Sequence, residues 1–487
     1  MSNKTKSVKF NIVMNVLLTM STFIFPLITF PYVSRILSPA GIGKVSFAIS
    51  LVSYFSLFAQ LGIPTYGIKA CAKVRDDKQE LTKVTQELLL INLFMSALVY
   101  VVFAIVLIKV PKLQNDKIIY IIISSVILLN AIGVEWLYKA LEEYTYITVR
   151  SIIFKVVALI AMFLTIHQED DYIMYGIISI LASSASNIFN FFYVHHYIPL
   201  RPVGNYDFKR HFRPILLFFA MSCATTIYGH LDTVMLGFIA TDADVGYYSA
   251  AIKIKSILVS VVTSLGAVLL PRTTYYIQNG FRKEFQTIAE KAINFVFLVS
   301  IPMMVYFMLF AKQGIFFLSG KNYAGAIVPM IVIMPTLLLI GITNILGVQI
   351  MTPLNLEKKV LLSEVTGAVV NLVLNFIFIP KFQATGAAIG TVFAELSVFI
   401  VQFFSVRKEI LGAFKLNYLR IIIGTFLGVS CSVWILLLNL GDFTTLLISS
   451  ALFFGVYGAF MLLCREPFVM EMLDMFLTIL KKMGKKR

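Results

Sequence analysis

Apolar residues fill the chain in runs of about twenty, and short polar segments separate each run from the next. Because about 20 apolar residues in a helix cross the core of a bilayer, each run predicts a membrane-spanning helix. Fourteen runs meet this criterion, at residues 11–34, 43–66, 86–109, 117–137, 150–167, 172–194, 214–240, 246–270, 291–311, 325–351, 361–380, 384–406, 419–439 and 444–464. The pattern therefore predicts an all-α integral membrane protein with about 14 transmembrane helices.

Composition supports the same fold class. Of the 487 residues, 59% are hydrophobic and only 14% are charged, whereas a soluble protein is about one-quarter charged. The formal net charge of +16 raises nucleic acid as a partner. The basic residues are dispersed between the apolar runs, however, so the charge indicates membrane topology and no nucleic-acid partner is expected.

The positions of lysine and arginine predict the orientation. The N-terminal segment with Lys4 and Lys6, every second loop and the closing KKMGKKR together hold 30 of the 41 basic residues, while the opposite loops hold eight. By the positive-inside rule, both termini are then expected in the cytoplasm.

Two weak internal repeats divide the chain. Residues 29–48 align with 232–251 at an offset of 203, and residues 130–135 resemble 344–349 at an offset of 214. Both offsets superpose a unit of six helices on the next six in the same orientation, which predicts a parallel pseudo-two-fold repeat with a site between the halves. The predicted parts are an N-terminal lobe (1–200), a C-terminal lobe (201–410), and two further helices with a basic cytoplasmic tail (411–487).

Polar residues recur at helical spacing on four of the predicted spans, two in each half. The stripes comprise Asn15, Thr19, Thr22, Pro26 and Thr29 in span 1; Ser46, Ser50, Ser53 and Gln60 in span 2; Ser222, Thr225, Gly229 and Asp232 in span 7; and Ser249, Lys253, Ser256, Ser260 and Ser264 in span 8. Small polar residues also let helices pack closely in lipid. Four matching stripes, two of them charged, favour a water-accessible cavity.

Asp232 and Lys253 are the costliest residues of these stripes. Each ionised side chain near the centre of a membrane helix costs roughly 3 kcal/mol on insertion scales. Both lie roughly 10–12 Å from the intervening loop at 1.5 Å per residue, so the two can pair. The pair is either structural or responds to a substrate or an ion. Lys255 points roughly 200° away from Lys253 on the same helix.

Three further charged residues are candidates with two interpretations each. Glu395 lies near the middle of span 12, where it serves as an ion-coupling carboxylate or as a hydrogen-bond partner of a neighbouring helix. Arg35 and Lys44 flank the first outer loop. They either meet an anionic head group or anchor the helices at the interface.

Signatures of catalysis and of cofactor binding are missing from the sequence. It contains no GxxxxGK[ST], no HExxH, no GxSxG and no His/Cys cluster with metal-ligand spacing. The longest outer loop has about a dozen residues by the span criterion, too few for a catalytic domain. Neither an enzyme nor a cofactor or metal is expected.

Three segments carry a family resemblance: FPYVSRILSPAGIG, DTVMLG followed by VGYYSAA, and PLNLEKK. With them, the chain resembles the polysaccharide transporter family. Its members are O-antigen and capsule repeat-unit flippases in the multidrug/oligosaccharidyl-lipid/polysaccharide exporter superfamily. The resemblance implies alternating access and translocation of undecaprenyl-diphosphate-linked oligosaccharides across a bacterial inner (plasma) membrane, which is the expected location. It also implies a cationic cavity, which Lys253 matches by position and Arg35 and Lys44 match by neighbourhood.

The implied partners are the lipid-linked oligosaccharide, membrane lipids, a proton or sodium ion, and polysaccharide polymerase machinery. Ser50, Ser256 and Ser260 lie on the polar stripes and suit a hydroxyl-rich sugar, while Asp232 and Glu395 are the carboxylates expected to sense an ion. A multidrug cation extruder of the same fold remains the alternative function. A channel or assembly scaffold without a transport cycle is a third possibility.

Overall fold

The structure, a computed structural model, describes residues 8–199, 201–410 and 418–484. Lys4, Lys6 and the end of the predicted basic tail lie outside the described residues. Within the described ranges the chain is helical and contains no β-strand. In chain order, the α-helices are α1 (Val8–Ile36), α2 (Pro39–Gln60), α3 (Ile63–Lys73), α4 (Lys78–Lys109), α5 (Pro111–Gln114), α6 (Lys117–Gly133), α7 (Glu135–Ala140), α8 (Tyr144–Thr165), α9 (Tyr172–Ser183), α10 (Asn187–Tyr193), α11 (Lys209–Ile239), α12 (Asp242–Gln278), α13 (Arg282–Leu309), α14 (Ala311–Ser319), α15 (Ile327–Ile333), α16 (Thr336–Asn344), α17 (Glu357–Ile410), α18 (Tyr418–Ser432), α19 (Asp442–Leu463) and α20 (Pro467–Gly484).

Eleven helices of the described chain are long and apolar enough to cross a membrane. A twelfth span is added if Lys321–Ile333 and Thr336–Met351, bent by 48° at a short break, form one crossing. The predicted all-helical, multi-pass membrane architecture is therefore confirmed, while the number fourteen stays a prediction.

The predicted fourteen spans and the eleven or twelve candidate spans of the structure differ partly at α17. Its 54 residues would extend about 80 Å at 1.5 Å per residue, far beyond the ~30 Å core of a bilayer. The helix breaks at Gln383, whose φ is +47°. A Cβ atom on Gly386 would lie 2.3 Å from the carbonyl oxygen of Phe378, so the chain folds back on itself there. The break falls between the predicted spans 361–380 and 384–406.

The fold divides into two compact units, residues 1–249 (unit 1) and 250–487 (unit 2). In unit 1, α2 packs against α4, α6, α9 and α11. In unit 2, α13 packs against α16 and α18, and α18 packs along α19. The boundary between the units lies inside α12, whereas the sequence repeat places it at residue 200; the limits 1–200, 201–410 and 411–487 stay predictions.

Within unit 1, the start of α2 crosses the start of α12 at very short range. A Cβ atom on Gly43 would lie 1.7 Å from the carbonyl oxygen of Asp242, and one on Gly246 would lie 2.0 Å from that of Pro39. The two contacts exchange under the 203-residue offset. Only glycine permits this approach, as in other close helix crossings in membranes.

Both segments of the second sequence repeat, residues 130–135 and 344–349, interrupt a regular α-helix. In residues 130–135, α6 ends at Gly133 and Val134 adopts a left-handed conformation with φ of +37°. In residues 344–349, α16 passes into a π-helical turn, Ile345–Met351. Such π turns are rare and occur often at functional sites.

Candidate functional site

A cavity of about 470 Å³ opens among α2, α6, α9 and α11 in unit 1; we call it the polar cavity. Its wall combines apolar residues with ten side chains that can form hydrogen bonds. The ten are Ser53, Ser56 and Gln60 of α2, Asn130 of α6, Ser179 and Ser183 of α9, Ser184 just after α9, and Ser222, Thr226 and His230 of α11.

Two serine hydroxyls of this wall already use their hydrogens within the protein. Ser53 Oγ donates to the carbonyl oxygen of Ile49 at 2.7 Å, and Ser179 Oγ donates to that of Tyr175 at 2.8 Å. Each hydroxyl thus satisfies its donor within its own helix, as membrane helices allow. The oxygen keeps lone pairs that can accept a hydrogen bond from a hydroxyl-bearing ligand.

A buried amide chain supports the α6 side of the cavity. Asn187 Nδ2 donates to Asn130 Oδ1 at 3.1 Å, and Asn190 Nδ2 donates to Asn187 Oδ1 at 3.4 Å. Asn190 is fully buried, and its carbonyl oxygen accepts the Tyr138 hydroxyl at 2.6 Å. These bonds fix Asn130 at the point where α6 ends.

His230 joins the cavity to one residue predicted from the sequence. Its Nδ1 lies 3.2 Å from Ser50 Oγ, and its ring meets the Tyr54 ring edge-on with 6.4 Å between centroids. Ser50 is buried with 5% exposure. Ser50 therefore stands behind the wall and positions His230, which itself lines the cavity.

The described wall contains no formally charged residue, and its one titratable side chain is His230. Among its residues in the described chain there is no Asp, Glu, Lys or Arg, and no Phe, Tyr or Trp. No group of three or more His, Cys, Asp or Glu side chains suited to a metal occurs within residues 8–199, 201–410 and 418–484. The cavity is chemically suited to a neutral ligand rich in hydroxyl groups.

Asp232 lies on α11, and Tyr248 donates its hydroxyl to Asp232 Oδ2 at 2.6 Å. Tyr248 is almost completely buried. A charge-assisted bond of this length stabilises the carboxylate within unit 1. The predicted pairing of Asp232 with Lys253 joins residues of different units and stays a prediction.

The predicted substrate-binding residues of the polar stripe on α12, Lys253, Ser256 and Ser260, lie in unit 2. Lys253 is half-buried there. Ser256 Oγ donates to the carbonyl oxygen of Ile252 at 2.8 Å, and Ser260 Oγ donates to that of Ile257 at 2.6 Å. Like the serines of the polar cavity, these two leave acceptor lone pairs available.

Lys44 has an ion-pair partner that the sequence did not reveal. Lys44 Nζ lies 2.9 Å from Asp116 Oδ1, which also accepts the Tyr172 hydroxyl at 2.8 Å. A similar pair joins Lys112 to Asp242 at 2.9 Å. Lys44 thus helps to connect helix ends near the glycine crossing, whereas Arg35, its predicted companion, is exposed at the end of α1.

Glu395 is buried in unit 2, with 6% exposure, one turn beyond the buried Thr391. The preceding segment of α17 contributes a buried pair, Asn375 Nδ2 donating to Asn371 Oδ1 at 3.0 Å. Asn375 Oδ1 would lie 2.3 Å from a Cβ atom on Gly390, so the amides face the helix that bears Glu395. This region is rich in oxygen atoms despite its place inside a membrane helix.

A second cavity, of about 380 Å³, lies in unit 2; we call it the apolar groove. It is formed by α12, α13, α14 and α19. Its wall comprises Ile254, Ile257, Leu258, Tyr306, Phe307, Gly314, Phe317, Leu318, Phe443, Leu446, Leu447, Ser450 and Phe454. Aliphatic and aromatic side chains dominate, and a hydrocarbon chain is the ligand that this surface suits.

The predicted cavity between the halves stays a prediction, but some residues of the predicted stripes lie in the wall of the polar cavity. The stripes on spans 2 and 7 contain Ser53, Gln60 and Ser222, which line it. The serines of α9 were missed, although the segment LASSASN (181–187) places small polar residues inside an apolar run. That local enrichment was the signal that could have identified the third wall.

Comparison with known proteins gives a consistent picture. The model of a family described as "Polysaccharide biosynthesis protein" matches residues 8–276. The "Putative O-antigen transporter" of Escherichia coli (strain K12) is 22% identical over 411 residues, which cover 84% of this chain and 99% of that protein. Lipid II flippase MurJ of Bacillus subtilis (strain 168) is 22% identical over 268 residues, covering 48% of this chain and 47% of that protein.

Solved structures agree at the level of the fold. "Lipid II flippase MurJ, inward closed conformation" superposes with a TM-score of 0.70 at 18% identity, covering 93% of this chain and 99% of that one. An inward-facing multidrug resistance MATE family transporter superposes with a TM-score of 0.61 at 16% identity, covering 84% and 99%. At such identities the likeness establishes a shared fold and nothing finer.

Proposed function

Because the chain belongs to the polysaccharide biosynthesis protein family, we propose that it is a flippase for undecaprenyl-diphosphate-linked oligosaccharide repeat units of O-antigen or capsule. It acts without catalysis, in the bacterial inner membrane, by alternating access. Similarity to proteins named O-antigen transporter and lipid II flippase supports this substrate class. Division of the chain into two compact units supports a mechanism in which two bodies move. Fourteen crossings with both termini in the cytoplasm are part of the proposal.

The polar cavity is the observation that carries the proposal. A sugar that crosses a bilayer loses the hydrogen bonds that its hydroxyl groups made with water, and each uncompensated loss costs roughly 1–3 kcal/mol. The serine and amide oxygens of the cavity replace those partners. Its volume of about 470 Å³ lies within the range of roughly 300–1,000 Å³ that is usual for small-molecule sites.

The lipid chain needs different surroundings, and the apolar groove of unit 2 offers them. Each CH₂ group that leaves water gains about 0.8 kcal/mol, while lipid itself is an equally good solvent for the chain. The groove therefore serves to orient the chain more than to bind it tightly. We assign the polyisoprenyl part of the substrate to this groove.

Lys253 is the residue that we assign to the diphosphate. A lysine binds phosphate as a point charge, and its location on α12 beside Ser256 and Ser260 provides hydroxyl oxygens for the adjoining sugar. We expect Lys253→Ala to abolish surface glycan and to accumulate lipid-linked repeat units inside the cell at normal protein level. Lys253→Arg, which keeps the charge, should retain most of the output. Normal glycan output from Lys253→Ala would contradict the assignment.

For the driving force we propose a proton or sodium ion that is sensed by Glu395, with Asp232 as the second candidate. A buried carboxylate in a membrane span is costly and usually functional. The amides of Asn371 and Asn375 and the hydroxyl of Thr391 supply the hard oxygen atoms that a small cation prefers.

Polysaccharide polymerase machinery is the proposed recipient of the translocated units.

A multidrug cation extruder is the alternative function for this fold. Such a protein would hold its substrate with carboxylates and aromatic rings. Within the described chain, the wall of the polar cavity has no carboxylate, and its one aromatic ring is the imidazole of His230. This composition favours the glycan substrate.

Complementation tests the proposal directly. The gene is expressed in a strain that lacks its glycan flippase and in a strain that lacks its multidrug extruders. We expect surface glycan to return in the first strain and drug sensitivity to persist in the second. Restored drug resistance without restored glycan would establish the alternative.

A further inference from the structure

A third cavity, of about 790 Å³, lies in unit 1 where α3, α4 and α11 meet; we call it the basic pocket. The span that starts at Pro39 in the glycine crossing ends at Lys73 beside this pocket. The basic pocket thus lies at the opposite end of that span, the end predicted to face the cytoplasm. It is separate from the polar cavity, with which it shares no residue.

Three exposed cations border the basic pocket without a carboxylate partner. Lys69 and Lys73 stand one helical turn apart on α3, and Arg213 lies in the first turns of α11. Within the described residues, no carboxylate oxygen lies within 4.0 Å of a side-chain nitrogen of Lys69, Lys73 or Arg213. With Arg210, the lining has four basic residues against the single acidic Glu80, so its formal charge is +3.

Arg210, the fourth cation of the lining, is paired within a hydrogen-bond network around the buried Glu87. Arg210 binds Glu87 through Nε at 2.9 Å and also pairs with Glu80. Glu87 is fully buried and accepts a further bond from His211 Nε2 at 2.7 Å, while His211 Nδ1 meets the Tyr66 hydroxyl at 2.8 Å. Arg210 is therefore neutralised within the protein. The excess positive charge belongs to Lys69, Lys73 and Arg213.

The inner wall of the basic pocket is apolar. Leu217 and Phe218 continue α11 one to two turns beyond Arg213 and line the same space. Leu217 is 64% exposed. A cationic rim above an apolar wall, at the cytoplasmic end of membrane helices, matches the two parts of an anionic lipid. Cations that served only topology would need neither the cavity nor the apolar wall.

We propose that the basic pocket binds the phosphate of a lipid head group through Lys69, Lys73 and Arg213, with the hydrocarbon chain against Leu217 and Phe218. Two lipids carry this chemistry at the cytoplasmic surface: an anionic phospholipid and a polyisoprenyl diphosphate. The site does not depend on the proposed transport function, because the charge and the lining of the pocket alone indicate a lipid phosphate.

The test measures bound lipid by native mass spectrometry of the purified full-length chain. The variant is Lys69→Gln/Lys73→Gln/Arg213→Gln, and the matched control is Arg282→Gln/Lys358→Gln/Lys359→Gln, which removes equally exposed cations of unit 2. Phosphatidylglycerol, undecaprenyl diphosphate and zwitterionic phosphatidylcholine are added separately. Each basic residue near a lipid phosphate contributes about fivefold in affinity, so we expect the triple variant to bind roughly a hundredfold more weakly and the control to match wild type.

The choice of lipid identifies the source of the phosphate. Loss of phosphatidylglycerol binding alone indicates a resident phospholipid, and loss of undecaprenyl diphosphate binding alone indicates a docking site for a substrate-type lipid; loss of both indicates a general lipid-phosphate site. Unchanged binding of both anionic lipids, in a variant with wild-type thermal stability, would overturn the proposal. Phosphatidylcholine should bind equally to all three proteins. If the triple variant misfolds, Lys69→Gln/Lys73→Gln on exposed positions of one helix repeats the test.

Discussion

The polar cavity of unit 1 and the apolar groove of unit 2 have similar size but opposite chemistry, at about 470 Å³ and 380 Å³. In the first, helices present serines such as Ser53 and Ser179 whose oxygens remain acceptors. In the second, α13, α14 and α19 present Phe307, Phe317 and Phe443. One cavity thus suits hydroxyl groups and the other suits hydrocarbon.

The difference also explains why the polar cavity is the more informative of the two. An apolar groove among membrane helices has little cost, because lipid is itself apolar. A wall with ten polar side chains inside a bilayer needs compensation, since unsatisfied polar groups there cost several kcal/mol each. Function is therefore more closely tied to the polar cavity, and substitutions there should have the larger effects.

Blocking the polar cavity should have the largest effect. Ser53→Trp places an indole where a sugar would bind, so we expect glycan export to fall below a hundredth of wild type, a loss of about 3 kcal/mol or more. Export is measured as the amount of surface glycan per cell. The control is Ser430→Trp, because Ser430 makes the same bond to its own helix, at 3.0 Å to Phe426 O, on an exposed face of α18. Equal export from both variants would remove the cavity from the mechanism.

A negative charge in the polar cavity should have the next largest effect. Thr226→Asp places a carboxylate in the wall of a cavity suited to a neutral sugar, and desolvating an uncompensated charge when the sugar binds costs several kcal/mol. We expect glycan export to fall tenfold to a hundredfold, as measured in the complemented strain. Thr226→Asn has the same shape without the charge and should retain more export. If Thr226→Asp instead raises resistance to cationic drugs with glycan unchanged, the cavity belongs to a cation extruder.

A polar residue in the apolar groove should have a moderate effect. Leu447→Ser puts a hydroxyl against the hydrocarbon chain, where an uncompensated hydroxyl costs roughly 1–3 kcal/mol. We expect a loss of uptake of about fivefold to tenfold, the lower end of that range, because a serine can also bond its own helix. The assay is uptake of lipid-linked saccharide by reconstituted vesicles as a function of lipid chain length. Leu463→Ser, on the same helix but outside the groove, is the control. An equal loss of uptake for short and long lipid chains would contradict the assignment of the lipid chain to the groove.

Removal of a single hydroxyl from the polar cavity should have the smallest effect. A typical hydrogen bond contributes about 0.5–1.5 kcal/mol, so Ser179→Ala should weaken glycan binding only about twofold to tenfold. Binding is measured by titration of the purified protein with the soluble saccharide. Ser405→Ala is the comparison, because Ser405 bonds its own helix at 2.7 Å outside both cavities. A loss greater for Ser405→Ala than for Ser179→Ala would contradict the assignment of the cavity wall.

Much of the fold was predictable because membrane spans are a local property of the sequence. The break of α17 at Gln383 falls between the predicted runs 361–380 and 384–406, where polar residues interrupt the apolar pattern. The polar stripes of α2 and α11 were predictable for the same reason. Periodicity along one helix identifies its polar face without knowledge of any neighbour.

The unpredicted features depend on contacts between distant residues. The sequence showed Lys44 near a loop, but its partner Asp116 lies 72 residues away in the chain and no local pattern links them. Likewise, Ser50 was predicted to contact the substrate, yet its hydroxyl faces His230 from another helix. Which side of a polar helix meets a cavity, and which meets another helix, is decided by packing.

The most direct test of the central claim asks what touches the sugar. A photoreactive amino acid is placed at Ser183, in the wall of the polar cavity, or at Ser430, on an exposed face outside it. Cells are labelled with radioactive sugar and irradiated, and the protein is purified. We predict a labelled protein band for position 183 and none for position 430. Equal labelling at both positions, or labelling at 430 alone, would contradict the account.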